Sequence, residues 1–201
     1  MNTFLQRITH AVQLNNALAV AGGIAVVVAI FFVVWLNHTI DIINPQHKGL
    51  VSSLAGLECP YATSRPVAVM LSSDAVARPL SGISQADMVI EMPVTPDGVT
   101  RFMAVFQCQR PQEIGSIRSA REDFLPLVAG LKAIYAHWGG EQNALKRLEQ
   151  HILDNINGLV YDGTIFYRKN GIRPPHNGFT SFEGLQDAIK KLHYPTEDQF
   201  A

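Results

Sequence analysis

Gly115-Ser116-Ile117-Arg118-Ser119-Ala120-Arg121-Glu122 is a short apolar piece followed at once by polar residues, with two arginines three positions apart. It reads as a junction between an extended segment and a helix that begins near Ser119 and runs toward Gly130. Helix N-terminal amides favour anions, and ligands of open α/β sheets gather at strand ends, so this junction marks both a fold class and a candidate anion site. Pro126 would break or shorten that helix.

Working outward, residues 66–71 form a continuous apolar run typical of a strand buried on both faces. Residues 88–94 and 99–108 are strand-like and flank Thr95-Pro96-Asp97-Gly98, which predicts a hairpin. Glu91 and Arg101 inside it are expected to form a cross-strand ion pair. Residues 132–137 read as another strand. Ala144, Leu145, Leu148 and Ile152 then fall at helical spacing within residues 141–152. Residues 158–161 and 164–168 flank Asp162-Gly163 and predict a second hairpin. Residues 169–178 read as an irregular loop, and Thr180-x-x-Glu183 is a capping box opening a helix to about Leu192. Hairpins together with helical crossovers predict an α/β class, a mixed β-sheet with helices packed on it as a sandwich.

One segment sits outside this pattern. Residues 17–36 carry no charge and have the length a helix needs to cross a bilayer. Arg7 precedes them and no Lys or Arg follows before Lys48, so the positive-inside bias places residues 1–16 in the cytoplasm. The expected organisation is a transmembrane helix at 17–36, a linker or stalk at 37–64 and an extracytoplasmic domain at 65–201. Cys59 and Cys108 are the two cysteines. They can pair in an oxidising compartment or stay as separate, half-buried thiols, and sequence alone leaves both open.

The formal net charge of −1 over 201 residues argues against a protein that coats nucleic acid. Most of the basic residues are nonetheless Arg, whose planar fork grips carboxylate or phosphate at two points. Arg101, Arg118, Arg121 and Arg173 are the candidate binders. His137, His176 and Asn177 are expected to line the same site, although a buried, hydrogen-bonded histidine is the commoner case. No His-Glu-x-x-His, paired-Cys, Walker or Gly-x-Ser-x-Gly motif is present, which argues against a structural zinc and names no cofactor. Asp87, Glu91 and Asp162 are the carboxylates available for magnesium should they group.

Several stretches together carry a resemblance. They are residues 65–70, Ala77-Arg78-Pro79-Leu80-Ser81-Gly82, Gln85-Ala86-Asp87, Thr100-Arg101-Phe102-Met103-Ala104, residues 115–121, Ala136-His137-Trp138-Gly139-Gly140 and Pro175-His176-Asn177. They resemble the N-terminal domain of the YerB-like lipoproteins over residues 65 to about 181. That resemblance implies a bacterial, envelope-associated, extracytoplasmic protein in a family of unknown function, with a smaller C-terminal domain expected beyond the stretch present. This chain differs in carrying the apolar segment in place of a lipobox. A weaker similarity in strand order is to the LytR-CpsA-Psr phosphotransferases, in which arginines hold a pyrophosphate and aspartates hold magnesium. Here Ser119 follows Arg118 where that family has an aspartate. Three functions follow as expectations: binding of an anionic envelope ligand, transfer or hydrolysis on a pyrophosphate-linked glycan, or docking onto a cell-wall-synthesis protein.

Overall fold

The computed structural model describes residues 23, 27–36 and 50–197. Residues 27–36 are helical, with Val27, Phe31 and Trp35 exposed. Among the described residues no helix is long and apolar enough to cross a membrane. Most of the first half of the expected 17–36 span, like the expected cytoplasmic segment and residues 37–49, lies outside the described residues.

The unit from Gly49 onward is a mixed α/β sandwich. Its main sheet has the order β2-β3-β1-β5-β6, from β1 (Val67–Ser72), β2 (Met88–Pro93), β3 (Thr100–Phe106), β5 (Ile134–His137) and β6 (Asn155–Asn157). A second, antiparallel sheet has the order β4-β8-β7, from β4 (Ile114–Gly115), β7 (Phe166–Arg168) and β8 (Gly178–Thr180). Three helices complete it: α1 (Leu125–Gly130), α2 (Gln142–Glu149) and α3 (Phe182–Lys191).

β1 is central, and all six of its residues are buried, as its apolar run requires. Successive side chains of a strand alternate in direction, so β1 feeds two cores. Val67, Val69 and Leu71 pack with Phe106, Ile156 and the Leu185 and Ile189 face of α3. Ala68 and Met70 pack with Tyr135, Leu125 and Val128 of α1, and Leu148 of α2. β1 pairs antiparallel with β3 and parallel with β5, and β5 pairs parallel with β6.

The first hairpin forms as expected between β2 and β3, closed by Val94 N–H donating to Val99 O (2.7 Å). The Glu91–Arg101 ion pair does not. The register sets Glu91 opposite Phe102 and Met92 opposite Arg101, so the two charges leave opposite faces, and Glu91 accepts from Thr100 Oγ1 instead (2.6 Å). The second hairpin is also absent. Gly163 makes a turn at φ 79° with its N–H on Phe166 O (2.7 Å), but residues 158–161 form no strand and β7 pairs with β8. Asn155 and Asn157 are unpromising strand residues whose side chains fix the neighbouring loop: Asn157 Oδ1 accepts from the N–H groups of Gly139 and Leu159 (3.0 Å each). The helix expected from Ser119 starts later. A 3-10 turn over Glu122–Phe124 leads into α1, whose first turn holds Pro126, where a missing N–H is harmless. α3 is capped by Ser181, whose Oγ accepts from Gly184 N–H (2.9 Å), one residue after the expected Thr180.

Residues 50–64, expected as part of a linker, belong from their start to the same compact unit. Cys59 and Cys108 form a disulfide across 49 positions. In the chain-entropy account a loop of that length contributes between about 3 and 4.7 kcal/mol. Ser52 Oγ donates to Gln107 Oε1 (2.5 Å), Gln107 Nε2 donates to Ser64 O (2.8 Å), and Arg110 stacks 3.4 Å over the Tyr61 ring.

Candidate functional site

β1 and β5 are parallel neighbours that stay paired only as far as Val69 and Ala136. Beyond that point the chain after β4 threads between them. Arg118 N–H donates to Met70 O (2.9 Å), Trp138 N–H donates to Arg118 O (2.9 Å), and Ala120 N–H donates to Gly139 O (2.9 Å). The crevice at the carboxyl ends of the two strands is therefore filled by the segment that bears Arg118, at the position where open sheets hold ligands.

Four elements deliver polar groups there. Ser72 ends β1 and stands in register with Arg101 at the start of β3. Asp74 follows β1, and its Oδ2 accepts from Ser72 Oγ (2.7 Å). Arg101 Nη1 is 3.6 Å from that same oxygen and donates to Thr100 O (2.8 Å). His176 Nδ1, from the loop between β7 and β8, lies 3.8 Å from it, beyond hydrogen-bond reach. Arg118 Nη1 donates to Pro175 O (3.2 Å) and so ties that loop to the crevice.

The electrostatics are lopsided. Burial lowers the pKa of Arg101, and Arg118 and Arg121 lower it further against the opposing pull of Asp74. Burial likewise lowers that of Arg118, with Asp74 opposing and Arg121 adding. Both remain cations, because a guanidinium does not deprotonate in a protein. Burial raises the Asp74 carboxyl, but the Ser72 hydrogen bond and the charges of Arg101, Arg118 and His176 outweigh it and hold it below the usual carboxylate range. His176 is pushed below the ordinary imidazole value by burial and by Arg118 and Arg101, with Asp74 pulling the other way. Two arginines and a histidine thus act on one carboxylate. Arg101 Nε, Arg118 Nε, His176 Nδ1 and Ser116 Oγ are buried and make no hydrogen bond within the protein. Arg101 itself is only 5% exposed. Buried donors without acceptors are costly, and a cluster of them in a cationic crevice is suited to an anion.

The other expected site residues fall differently. Arg121 biases the titration of Arg101 and Arg118 but precedes a 3-10 turn, not a long helix, so no helix N-terminus reinforces it. His137 is fully buried on β5, its Nδ1 2.7 Å from Gly139 O and its Nε2 3.2 Å from the Asn155 amide. Burial keeps it below the usual imidazole pKa, and its role is to fix the β5–β6 end. Arg173 is exposed on the loop bearing His176 and contributes its carbonyl to the His176 N–H (3.0 Å). Asn177 is buried and accepts from Arg168 Nη1 (3.3 Å). Among the carboxylates considered for magnesium, Asp87 accepts the N–H groups of Gln107 and Cys108, Glu91 takes Thr100, and Asp162 takes Arg168. They do not group. Sequence reasoning missed Asp74 and Ser72; the available signal was the switch from a buried run to Ser72-Ser73-Asp74 at a strand's carboxyl end.

A domain that closes a mixed sheet over such a crevice has known relatives. The family described as "Protein of unknown function (DUF3048) N-terminal domain" matches residues 54–195. A protein of Bacillus subtilis (strain 168) named "Putative lipoprotein YerB" is 37% identical over 172 residues, covering 85% of this chain and 52% of the relative. The crystal structure of the YerB protein from Bacillus subtilis superposes with a TM-score of 0.71 at 40% identity, covering 74% of this chain and 52% of that one. The chain belongs to the DUF3048 N-terminal-domain family and spans about half the length of these relatives.

Proposed function

We propose that the folded unit is the extracytoplasmic part of a membrane-anchored cell-envelope protein that binds an anionic, phosphate- or carboxylate-bearing ligand at Arg101, Arg118 and His176, with Arg121 adding charge. The observation that carries this reading is Arg101 Nη1 at 3.6 Å and His176 Nδ1 at 3.8 Å from one Asp74 oxygen, with the charge of Arg118 acting on the same carboxylate and both arginine Nε donors buried and unmatched. Three facts support the location: the uncharged apolar run at 17–36, the disulfide between Cys59 and Cys108, and a relative named as a lipoprotein. The transferase alternative asks for carboxylates that hold magnesium beside the arginines, and Asp87, Glu91 and Asp162 are engaged elsewhere. A docking surface is better served by arginines paired one by one, as Arg65 with Asp154 and Arg147 with Glu122 are, than by buried arginines whose Nε donors are unmatched.

The test is the melting temperature of the full chain in detergent with phosphate or pyrophosphate, with and without magnesium. A ligand that binds the folded state alone adds about 2.7 kcal/mol of stability at a hundred times its Kd. The expected result is a shift with pyrophosphate that Arg118→Ala removes. Cooperative melting with no shift from either anion would overturn the reading in favour of protein docking, and a shift that demands magnesium would favour the transferase.

A further inference from the structure

A cavity of about 230 Å³ opens beside Arg118, walled by Ile117, Ser119, Trp138, Arg168 and Pro175. Arg118 belongs to this cavity and to the cationic cluster at once, so a group held by the cluster has a neighbouring chamber on the same side chain. Its volume is about eight times the share of one water in the liquid, room for a single ring of about a dozen heavy atoms. The wall is built rather than incidental. Arg168 lies 4.5 Å over the Trp138 ring and is itself held by Asp162 (2.9 Å) and Asn177 (3.3 Å). Phe166 packs edge-on to the indole at 5.6 Å. A Cβ at Gly178 would stand 2.6 Å from the indole and one at Gly158 2.9 Å, so glycine is required at both for the ring to sit there.

The chemistry of the lining narrows the occupant. Ile117, Pro175 and the indole offer apolar surface, while Ser119, Arg118 and Arg168 offer polar groups. A flat nucleobase seeks a free aromatic face, and the Trp138 face under Arg168 is taken. An acyl chain would strand the guanidinium groups. A pyranose, with apolar C–H surface and several hydroxyls, matches both kinds of wall. Resting on the anion-binding reading above, we infer that the ligand is a glycosyl phosphate: its phosphate lies at Arg101, Arg118 and His176, and its first sugar ring fills this cavity.

Calorimetry on the full chain with inorganic phosphate and with glucose 1-phosphate tests this. Glucose 1-phosphate binds at least tenfold more tightly than phosphate. Ser119→Leu, which fills the cavity, removes that gain and leaves the phosphate affinity in place. Phosphate binding with no gain from the sugar overturns the glycosyl inference while leaving the anion site standing, and a gain that survives Ser119→Leu overturns the placement of the ring. Absence of phosphate binding to the folded protein removes the anion site itself, and the inference with it.

Discussion

Two polar clusters sit in this domain, and they differ in how completely their charges are answered. Glu113, just before β4, accepts from Ser81 Oγ (2.7 Å), Lys169 Nζ (2.9 Å) and Tyr167 OH (2.9 Å). Burial alone would raise its carboxyl, yet these partners hold it below its ordinary range, and Tyr167 is pushed up to about 12 by burial and by Glu113. One anion meets one cation and two hydroxyl groups. The cluster at Asp74 has one anion against Arg101, Arg118 and a nearby histidine, with donors left unmatched. A balanced cluster has its donors and acceptors matched within the fold; the unbalanced one leaves donors that an anion could take.

The largest expected effect separates the two. Arg118→Ala weakens sulfate binding by on the order of tenfold to a hundredfold, the worth of a hydrogen bond to a charged group, and moves the melting temperature little. Glu113→Ala does the reverse: it removes three accepted hydrogen bonds, costs about 2 kcal/mol and leaves sulfate affinity intact. For a unit of this size that is a drop of about 4–8 °C in a melting scan. If both variants lose stability alike and neither alters sulfate affinity, the two clusters are equivalent and the comparison fails.

Much of the contrast was open to a reader of the sequence and part was not. β1, the first hairpin and the helix ending near Leu192 follow from local apolar patterning, and residues 65–181 announce their family. Arg101, Arg118 and His176 stand at strand ends or loops, where charge is rarely spent on the core. β6 and β8 are three-residue strands made by long-range pairing, which no local window reveals. The Asp162-Gly163 dipeptide gave a true turn, but the flank before it, residues 158–161, forms no strand and the flank after it pairs with β8, because turn chemistry does not choose partners. His137 looked like Trp138-Gly139-Gly140 site chemistry, but one β5 position inward it is wholly buried. The disulfide rested on a distance that sequence does not contain.

Asp74 sharpens the comparison at about 1 kcal/mol, the repulsion between two unit charges near 4 Å in water. It occupies the arginines that an incoming anion needs. Asp74→Asn keeps the shape and the Ser72 contact but removes the charge, so sulfate binds about fivefold more tightly. The same change lowers stability without sulfate, because Arg101 loses its counterion. Since the folded pKa of Asp74 is depressed, its stabilisation is present above the ordinary carboxylate value and lost as pH falls through the folded value. The Asn variant therefore shows a flatter acid limb in melting temperature against pH. An unchanged sulfate affinity would mean that Asp74 does not compete for the anion.

The smallest effect, a few-fold, belongs to His176 and has a definite sign. Its pKa in the free protein is lowered by burial, Arg118 and Arg101 against Asp74, so it holds its proton less readily than an ordinary histidine. A bound sulfate offsets the arginines and raises that pKa, so binding takes up a proton. Affinity for sulfate, which stays a dianion there, then rises as pH falls through the ordinary imidazole value toward the lower folded value of His176. Stability of the free protein moves oppositely, because a histidine with a depressed folded pKa favours unfolding once the pH falls below its unfolded value. Tighter binding to a weakening fold is thus the signature. His176→Gln abolishes the slope in affinity while retaining most of the binding, which rests on Arg101 and Arg118. A slope of the opposite sign, or one that survives in the Gln variant, would take His176 out of the site and leave the arginines alone facing the anion.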